Sequence, residues 1–412
     1  MDMSQSTSAT QTDPDNYPAP VQQLLVGAMQ MRASDVHIDR VGPDECRVCC
    51  RVDGVVHRKE TLSADDGRQL INQIKVAAAL TPEQARQTRE NRIPVTAAGE
   101  TREIRVTVAP TTRGEAVHLR LLAPPQEILE PAQLGMSDGA LDAVRETFAQ
   151  PEGLILITGP TGAGKTMTLY SLASFLDLES MIAISVEDPV EYDLPNIRQI
   201  QADPEHGMAI PAALKAMLRM DPDILLVGEI RDAQSAQTAV RAAASGRFVL
   251  ATLHAREIGL ALETCHHYSV PRHLLGSTLR LVTSQALVRR VCGACAGKRE
   301  PTDAEAGQFQ DRGLDVPDHL PVPKGCGACH DFGYSGRVGV FEVVQIDRET
   351  GRRLSQRRVA ENMREALDRT EKTSLPREAL QKVAAGVTTM EEIHHLYVPG
   401  HLGAGDDEPL TG

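Results

Sequence analysis

Leu154-Ile155-Leu156-Ile157-Thr158-Gly159-Pro160-Thr161-Gly162-Ala163-Gly164-Lys165-Thr166-Met167-Thr168-Leu169-Tyr170 is the stretch that decides the fold. Four consecutive apolar residues read as a strand buried on both faces. Gly159 to Thr166 fits G-x-x-x-x-G-K-[ST], and helical sequence follows it. A strand that enters a helix through such a turn is a phosphate loop. Its glycines let backbone N–H groups curl around phosphate, and the helix N-terminus adds partial positive charge at the same point. Gly159, Pro160, Thr161, Gly162, Ala163, Gly164, Lys165, Thr166 and Met167 are therefore the expected nucleotide-binding residues. Lys165 would reach the β- and γ-phosphates, and the Thr166 hydroxyl would ligate Mg²⁺.

Outward from this loop, strands alternate with helices. The pattern predicts strands over 154–158, 182–186, 224–228 and 247–253, and helices over 165–176, 210–219 and 233–244. Such alternation predicts a parallel α/β sheet. Upstream the pattern differs. A helix over 21–31 precedes short strands at 36–38, 47–52 and 55–57, with Asp53-Gly54 as a hairpin turn. A helix over 64–80 and strands over 103–108 and 116–122 complete a first α+β domain over 18–122. The proline-rich stretch Ala123-Pro124-Pro125 to Pro131 marks a linker, placed at 123–135. The expected organisation is a disordered tail (1–17), the first domain, the linker and an ATPase core (136–290). A Cys-rich subdomain (291–342), a helical region (343–398) and a second disordered tail (399–412) follow.

The 412 residues suffice for two or three domains. Aromatics are 3% with no Trp, so the core must be aliphatic. No apolar run is long enough for a membrane span, and the polar N-terminus is not a signal peptide, so the sequence reads as cytoplasmic. A net charge of −13 weighs against nucleic acid as the main partner.

A phosphate loop needs a carboxylate on a neighbouring strand end. Ile224-Leu225-Leu226-Val227-Gly228-Glu229 supplies one, and Glu229 suits the general base for hydrolysis. Ser185-Val186-Glu187-Asp188-Pro189-Val190-Glu191 sets three carboxylates, Glu187, Asp188 and Glu191, within five residues. They would repel one another without a cation, and Mg²⁺ or an arginine is the natural partner. A third strand ends at His254, which could sense the γ-phosphate from the rim where open α/β sheets bind ligands.

Taken in order, GPTGAGKTMTLY, SVEDPVEY, LRMDPDILLVGEIRD and FVLATLHA resemble the Walker A, Asp box, Walker B and His box of the secretion-ATPase superfamily. These are the motors of type II secretion and type IV pilus assembly. Ala33-Ser34-Asp35-Val36-His37-Ile38, Arg51-Val52-Asp53-Gly54, the block GYSGRVGVFEV and Val387-Thr388-Thr389-Met390-Glu391-Glu392 resemble further family signatures. The likeness covers about residues 18–396. It implies a PAS-like N-terminal domain, a RecA-like P-loop ATPase domain with an inserted Cys₄ zinc subdomain, and a helical C-terminus. It also implies a hexamer that hydrolyses ATP with Mg²⁺ and works through an inner-membrane platform protein and associated assembly proteins. Nucleotide would lie between the two domains, approached by Arg105 and Arg120. Longer members carry an N-terminal docking domain. About 17 residues precede the first helix here, so the expectation is a short form. Three positions depart from the family pattern: Gly246-Arg247 stands for Gly-His, Met167 for Thr, and His254-Ala255-Arg256-Glu257 lacks the usual Thr-Asn. The alternative reading is an ATP-binding oligomeric scaffold with little turnover. A DNA-translocating motor fits neither the charge nor the cysteines.

Cys292-x-x-Cys295 and Cys326-x-x-Cys329, separated by 30 residues, fit a tetrahedral Cys₄ zinc site. Four thiolates leave no open position, so the metal would be structural. The intervening 296–325 reads as polar and irregular. Cys46, Cys49 and Cys50 lie on an expected strand, where alternation points Cys49 and Cys50 to opposite faces, and they read as core or strand filler. Cys265 reads as a free thiol.

Overall fold

The computed structural model describes residues 17–80, 87–97, 100–121, 128–356 and 374–396. The tails expected at 1–17 and 399–412 fall outside these residues, apart from Tyr17. The chain divides into two units, Met1–Gln126 and Glu127–Gly412.

The first unit is an all-antiparallel sheet. Its strands are β1 (Ala33–Arg40), β2 (Glu45–Val52), β3 (Val55–Ser63), β4 (Arg89–Ala97), β5 (Glu100–Thr111) and β6 (Gly114–Leu121), in the order β3-β2-β1-β6-β5-β4. Helices Ala19–Gln30 and Ala64–Ala77 bury their apolar faces against it. Burial alternates strictly along β2, so Cys46, Val48, Cys50 and Val52 enter the core while Cys49 faces the other way. Asp53 (φ 48°) and Gly54 (φ 90°) both occupy the left-handed region, as a tight hairpin turn requires. Strand β4 carries no strand signal in the sequence. Arg89-Glu90-Asn91-Arg92 is charged and Pro94 interrupts it, yet it pairs with β5 along its whole length. It lies at the sheet edge, where a proline is tolerated.

The second unit holds a seven-stranded sheet. Its strands are β7 (Gly153–Thr158), β8 (Ala183–Glu187), β9 (Ile197–Gln201), β10 (Ile224–Ile230), β11 (Phe248–Leu253), β12 (Leu279–Val291) and β15 (Tyr334–Gln345). Between the last two, β13 (Gly297–Arg299) and β14 (Leu320–Val322) form a separate ribbon. The order is β15-β12-β7-β11-β10-β8-β9, parallel except for β15. Strands β7, β8 and β11 are buried at every residue, which explains their unbroken apolar reading. One core cluster covers each face of the sheet.

Three sequence expectations are corrected. The linker placed at 123–135 gives way to a helical turn at Pro131–Leu134 in the second unit, started by a Glu130/Gln133 capping box. The stretch 296–325 is not irregular. A Thr302/Glu305 capping box starts helix Asp303–Gln310, which buries Phe309, and β13 and β14 flank it. The boundary at 342/343 falls inside β15, which pairs continuously with β12 back into the main sheet.

Candidate functional site

Strand β7 ends at Thr158 in the middle of the sheet, between β12 and β11. The next six residues turn through Gly159 (φ 154°), Gly162 (φ 77°) and Gly164 (φ 83°) before helix Lys165–Ala173 begins. These dihedrals are costly for any residue with a Cβ. At Gly159 a Cβ would also stand 2.6 Å from the Gln285 carbonyl oxygen. No side chain caps the helix that follows, so its first N–H groups face the loop. Pro160, Thr161 and Gly162 are exposed, whereas Ala163 is buried. Thr166 and Met167 are half-buried in the first turn.

Lys165 is 8% exposed. Its Nζ donates to the carbonyls of Gly159 (2.9 Å) and Pro160 (3.0 Å) and to His254 Nδ1 (3.1 Å). Burial pushes its ammonium below the usual lysine range, and the Glu229 carboxylate partly restores it. The other ring nitrogen of His254, Nε2, stands against Glu229 Oε1.

Glu229 reaches this point because β10 bulges. Val227 pairs with Ala251 but Ile230 with Leu253, so one extra residue fits between them. Thr252 Oγ1 holds the bulge by donating to the Gly228 carbonyl (2.5 Å). Gly228 fits because a Cβ would lie 3.0 Å from the Val186 carbonyl oxygen. Glu229 Oε2 accepts from Arg231 Nε (2.8 Å), and Arg231 Nη1 reaches Asp188 Oδ2 (2.9 Å). The Glu229 contact raises the Arg231 guanidinium further. Glu229 Oε1 is buried, and among the described residues no donor is aligned for a hydrogen bond with it. A string of charged groups thus crosses four adjacent strand ends, from Lys165 through His254, Glu229 and Arg231 to Asp188.

The acidic box divides. Asp188 and Glu191 are exposed. Glu187 is 2% exposed and already accepts three donors: Tyr170 Oη, Ser185 Oγ (2.5 Å) and Gln199 Nε2 (3.0 Å). Of the three carboxylates expected to share a cation, Glu187 is thus the buried one, bonded to protein donors in this structure. It ties the phosphate-loop helix, through Tyr170, to β8 and β9. Burial and Glu187 both push the Tyr170 phenol upward, so the hydroxyl stays protonated and donates. Arg105 and Arg120 are cross-strand neighbours on β5 and β6 of the first unit. Arg120 Nε donates to Asp35 Oδ1 (3.2 Å), which His118 Nε2 also contacts (2.8 Å).

The two cysteine pairs converge. The Cys292, Cys295, Cys326 and Cys329 sulfurs lie within 4.8 Å of one another, and Cys329 Sγ is 3.8 Å from both Cys295 Sγ and Cys326 Sγ. A tetrahedral ion roughly 2.3 Å from each thiolate requires sulfurs about 3.8 Å apart, so the cluster is compatible with zinc. Burial raises the Cys329 thiol, but the backbone N–H groups of Cys326 and Gly333 outweigh it and bring it down to about 7. Cys265 is buried and unpaired to any other cysteine.

Sequence reading did not single out Arg231, Thr252, Tyr170 or Gln285. Arg231, Tyr170 and Thr252 lay within quoted motifs without a role, Gln285 lay outside them, and all four act through contacts across strands that no local spacing reveals.

A phosphate loop at the centre of a parallel sheet, with a carboxylate aimed at it from the next strand but one, defines a P-loop ATPase. The chain belongs to the type II/IV secretion system protein family, whose model matches residues 11–395. It is 39% identical over 376 residues to the type II secretion system protein HxcR of Pseudomonas aeruginosa, covering 90% of this chain and 75% of that one. It is 33% identical over 384 residues to the type IV pilus assembly ATPase PilB of Acinetobacter baylyi (91% and 65% covered). The crystal structure of the ATPase DotB of Legionella pneumophila shares the fold, with a TM-score of 0.67 at 20% identity (93% and 97% covered). None of the helices in the described residues is long and apolar enough to cross a membrane.

Proposed function

We propose that this chain is a hexameric Mg²⁺-ATP-hydrolysing motor for type II secretion or type IV pilus or pseudopilus assembly, acting with an inner-membrane platform protein. The observation that carries the catalytic part is the string of groups from Lys165 to Asp188. In the ATP complex Lys165 exchanges the Gly159 and Pro160 carbonyls for the β- and γ-phosphates. His254, freed from Lys165, reports on the γ-phosphate. Glu229, whose Oε1 lacks an aligned donor, orients and deprotonates the attacking water. Thr166, Asp188 and Glu191 are hard oxygen donors of the kind Mg²⁺ takes, and the bound ion neutralises phosphate charge. Arg105 and Arg120, the arginines that the family resemblance points to, are suited to stabilise charge on the transferring phosphoryl group. The Cys₄ cluster holds a structural zinc.

The test is steady-state Mg²⁺-ATP hydrolysis against protein concentration, with Lys165→Ala as control. Specific activity that rises with concentration and vanishes in the variant is expected of subunits completing one another's sites. Tight ATP binding with no turnover at any concentration would instead indicate an ATP-dependent scaffold.

A further inference from the structure

Gln285 lies on β12, alongside the strand that enters the phosphate loop, and takes no part in the string of charges described above. It is 1% exposed. Its side-chain Nε2 donates to the Ala163 carbonyl at 2.6 Å, across 122 residues of sequence. Its own backbone carbonyl fills the space where Gly159 lacks a Cβ. Two residues on, on the same face of the strand, Leu287 packs under Gly164 at 3.6 Å from where a Cβ would stand. The amide orientation follows from the contact, because the reversed amide would set oxygen against oxygen at the same distance. Gln285 Oε1 is buried without a hydrogen-bond partner among the described residues. A fully apolar side chain would avoid that cost, so the retained amide points to a task.

We propose that Gln285 is a positioning residue for the phosphate loop, aiming the Gly164 N–H at the nucleotide's phosphates. The Ala163 carbonyl and the Gly164 N–H belong to one planar trans peptide and point in opposite directions. Fixing the carbonyl outward toward β12 turns the N–H inward, into the cradle. The proposal rests on the reading of this loop as an ATP site.

The experiment is calorimetric titration of the full-length chain with Mg²⁺-ADP. Gln285→Met keeps the length and removes the donor. It should weaken ADP binding about tenfold, the scale of one oriented hydrogen bond, while the nucleotide-free protein melts within a few degrees of wild type. Gln285→Glu supplies a conditional donor: ionised, it repels the Ala163 carbonyl; protonated, it can donate to it. Burial raises its pKa, so its deficit relative to wild type should shrink as pH falls from 8 to 5.5. Lys165→Ala separates the two levels of the argument. If Lys165→Ala loses ADP while both Gln285 variants bind like wild type, Gln285 does not position the loop. A weakening that tracks a lost melting transition in Gln285→Met, or a Gln285→Glu deficit that ignores pH, reduces Gln285 to a packing residue and overturns the proposal. Wild-type ADP affinity in Lys165→Ala would overturn the ATP site itself.

Discussion

The phosphate loop and the Cys₄ cluster flank the same strand, β12, and differ in how the side chains around them are bonded. Around the loop, three glycines sit in left-handed geometry, and the buried Thr158 Oγ1, Thr283 Oγ1 and Gln285 Oε1 have no hydrogen-bond partner among the described residues. Around the cysteines several polar side chains meet one another. Arg289 lies 3.9 Å over the Tyr334 ring and meets Glu392 at 2.5 Å. Thr388 donates to the Arg289 carbonyl (2.8 Å), and Tyr334 Oη meets Thr389 Oγ1 (2.9 Å). Left-handed backbone is common to both, at Gly325, His330, Asp331 and Gly333 beside the cysteines; what marks the loop is its buried side-chain oxygens without a partner among the described residues.

Removing the zinc proposed for the Cys₄ cluster should change this contrast most visibly. Structural zinc sites contribute on the order of 10 kcal/mol at neutral pH, so chelation should unfold the 292–333 insert. Hydrogen exchange should report that loss while the phosphate-loop strands remain protected. Equal loss of protection throughout would mean the two regions are one cooperative unit. Next in size, Glu229→Gln should reduce turnover roughly 10³-fold with ATP affinity retained, which single-turnover kinetics and binding titrations separate. Wild-type turnover would remove Glu229 as the base.

The smallest effect tests a group between the two regions. Glu342 on β15 accepts from the Leu375 N–H, and burial raises its carboxyl to about 7. A raised pKa means the folded state binds the proton more tightly. The resulting stability is present below pH 4.5 and is lost as pH rises through 7. Glu342→Gln should therefore stabilise the protein by on the order of 2 kcal/mol at pH 8 and change little at pH 4, as measured by urea unfolding at both values. A stabilisation independent of pH would show that titration of Glu342 is not its source.

Much of this was legible in the sequence, for identifiable reasons. Strands buried on both faces, such as β7 and β11, announce themselves as apolar runs. The phosphate loop does so through the glycines its dihedrals demand. Strand β4 was silent because an edge strand can be charged and carry Pro94. Strands β12 and β15 were obscured because Cys292 and Cys329, at their ends, suggested a separate module. Thr302 and Glu305 did carry a helix start inside that module, overshadowed by the polar composition around them. Glu187 looked like its neighbours Asp188 and Glu191, and only the cross-strand partners Tyr170 and Gln199 distinguish it.

The long span between Ala163 and Gln285 has a consequence for how the protein is made. A pocket wall closed by residues 122 apart cannot form from local sequence, and pairing a parallel strand across such a span is slow. On the ribosome, the glycine-rich turn emerges well before the strand that shapes it. A nascent chain ending short of residue 285 carries the loop's sequence without its floor, so nucleotide can assist folding only in its last stages.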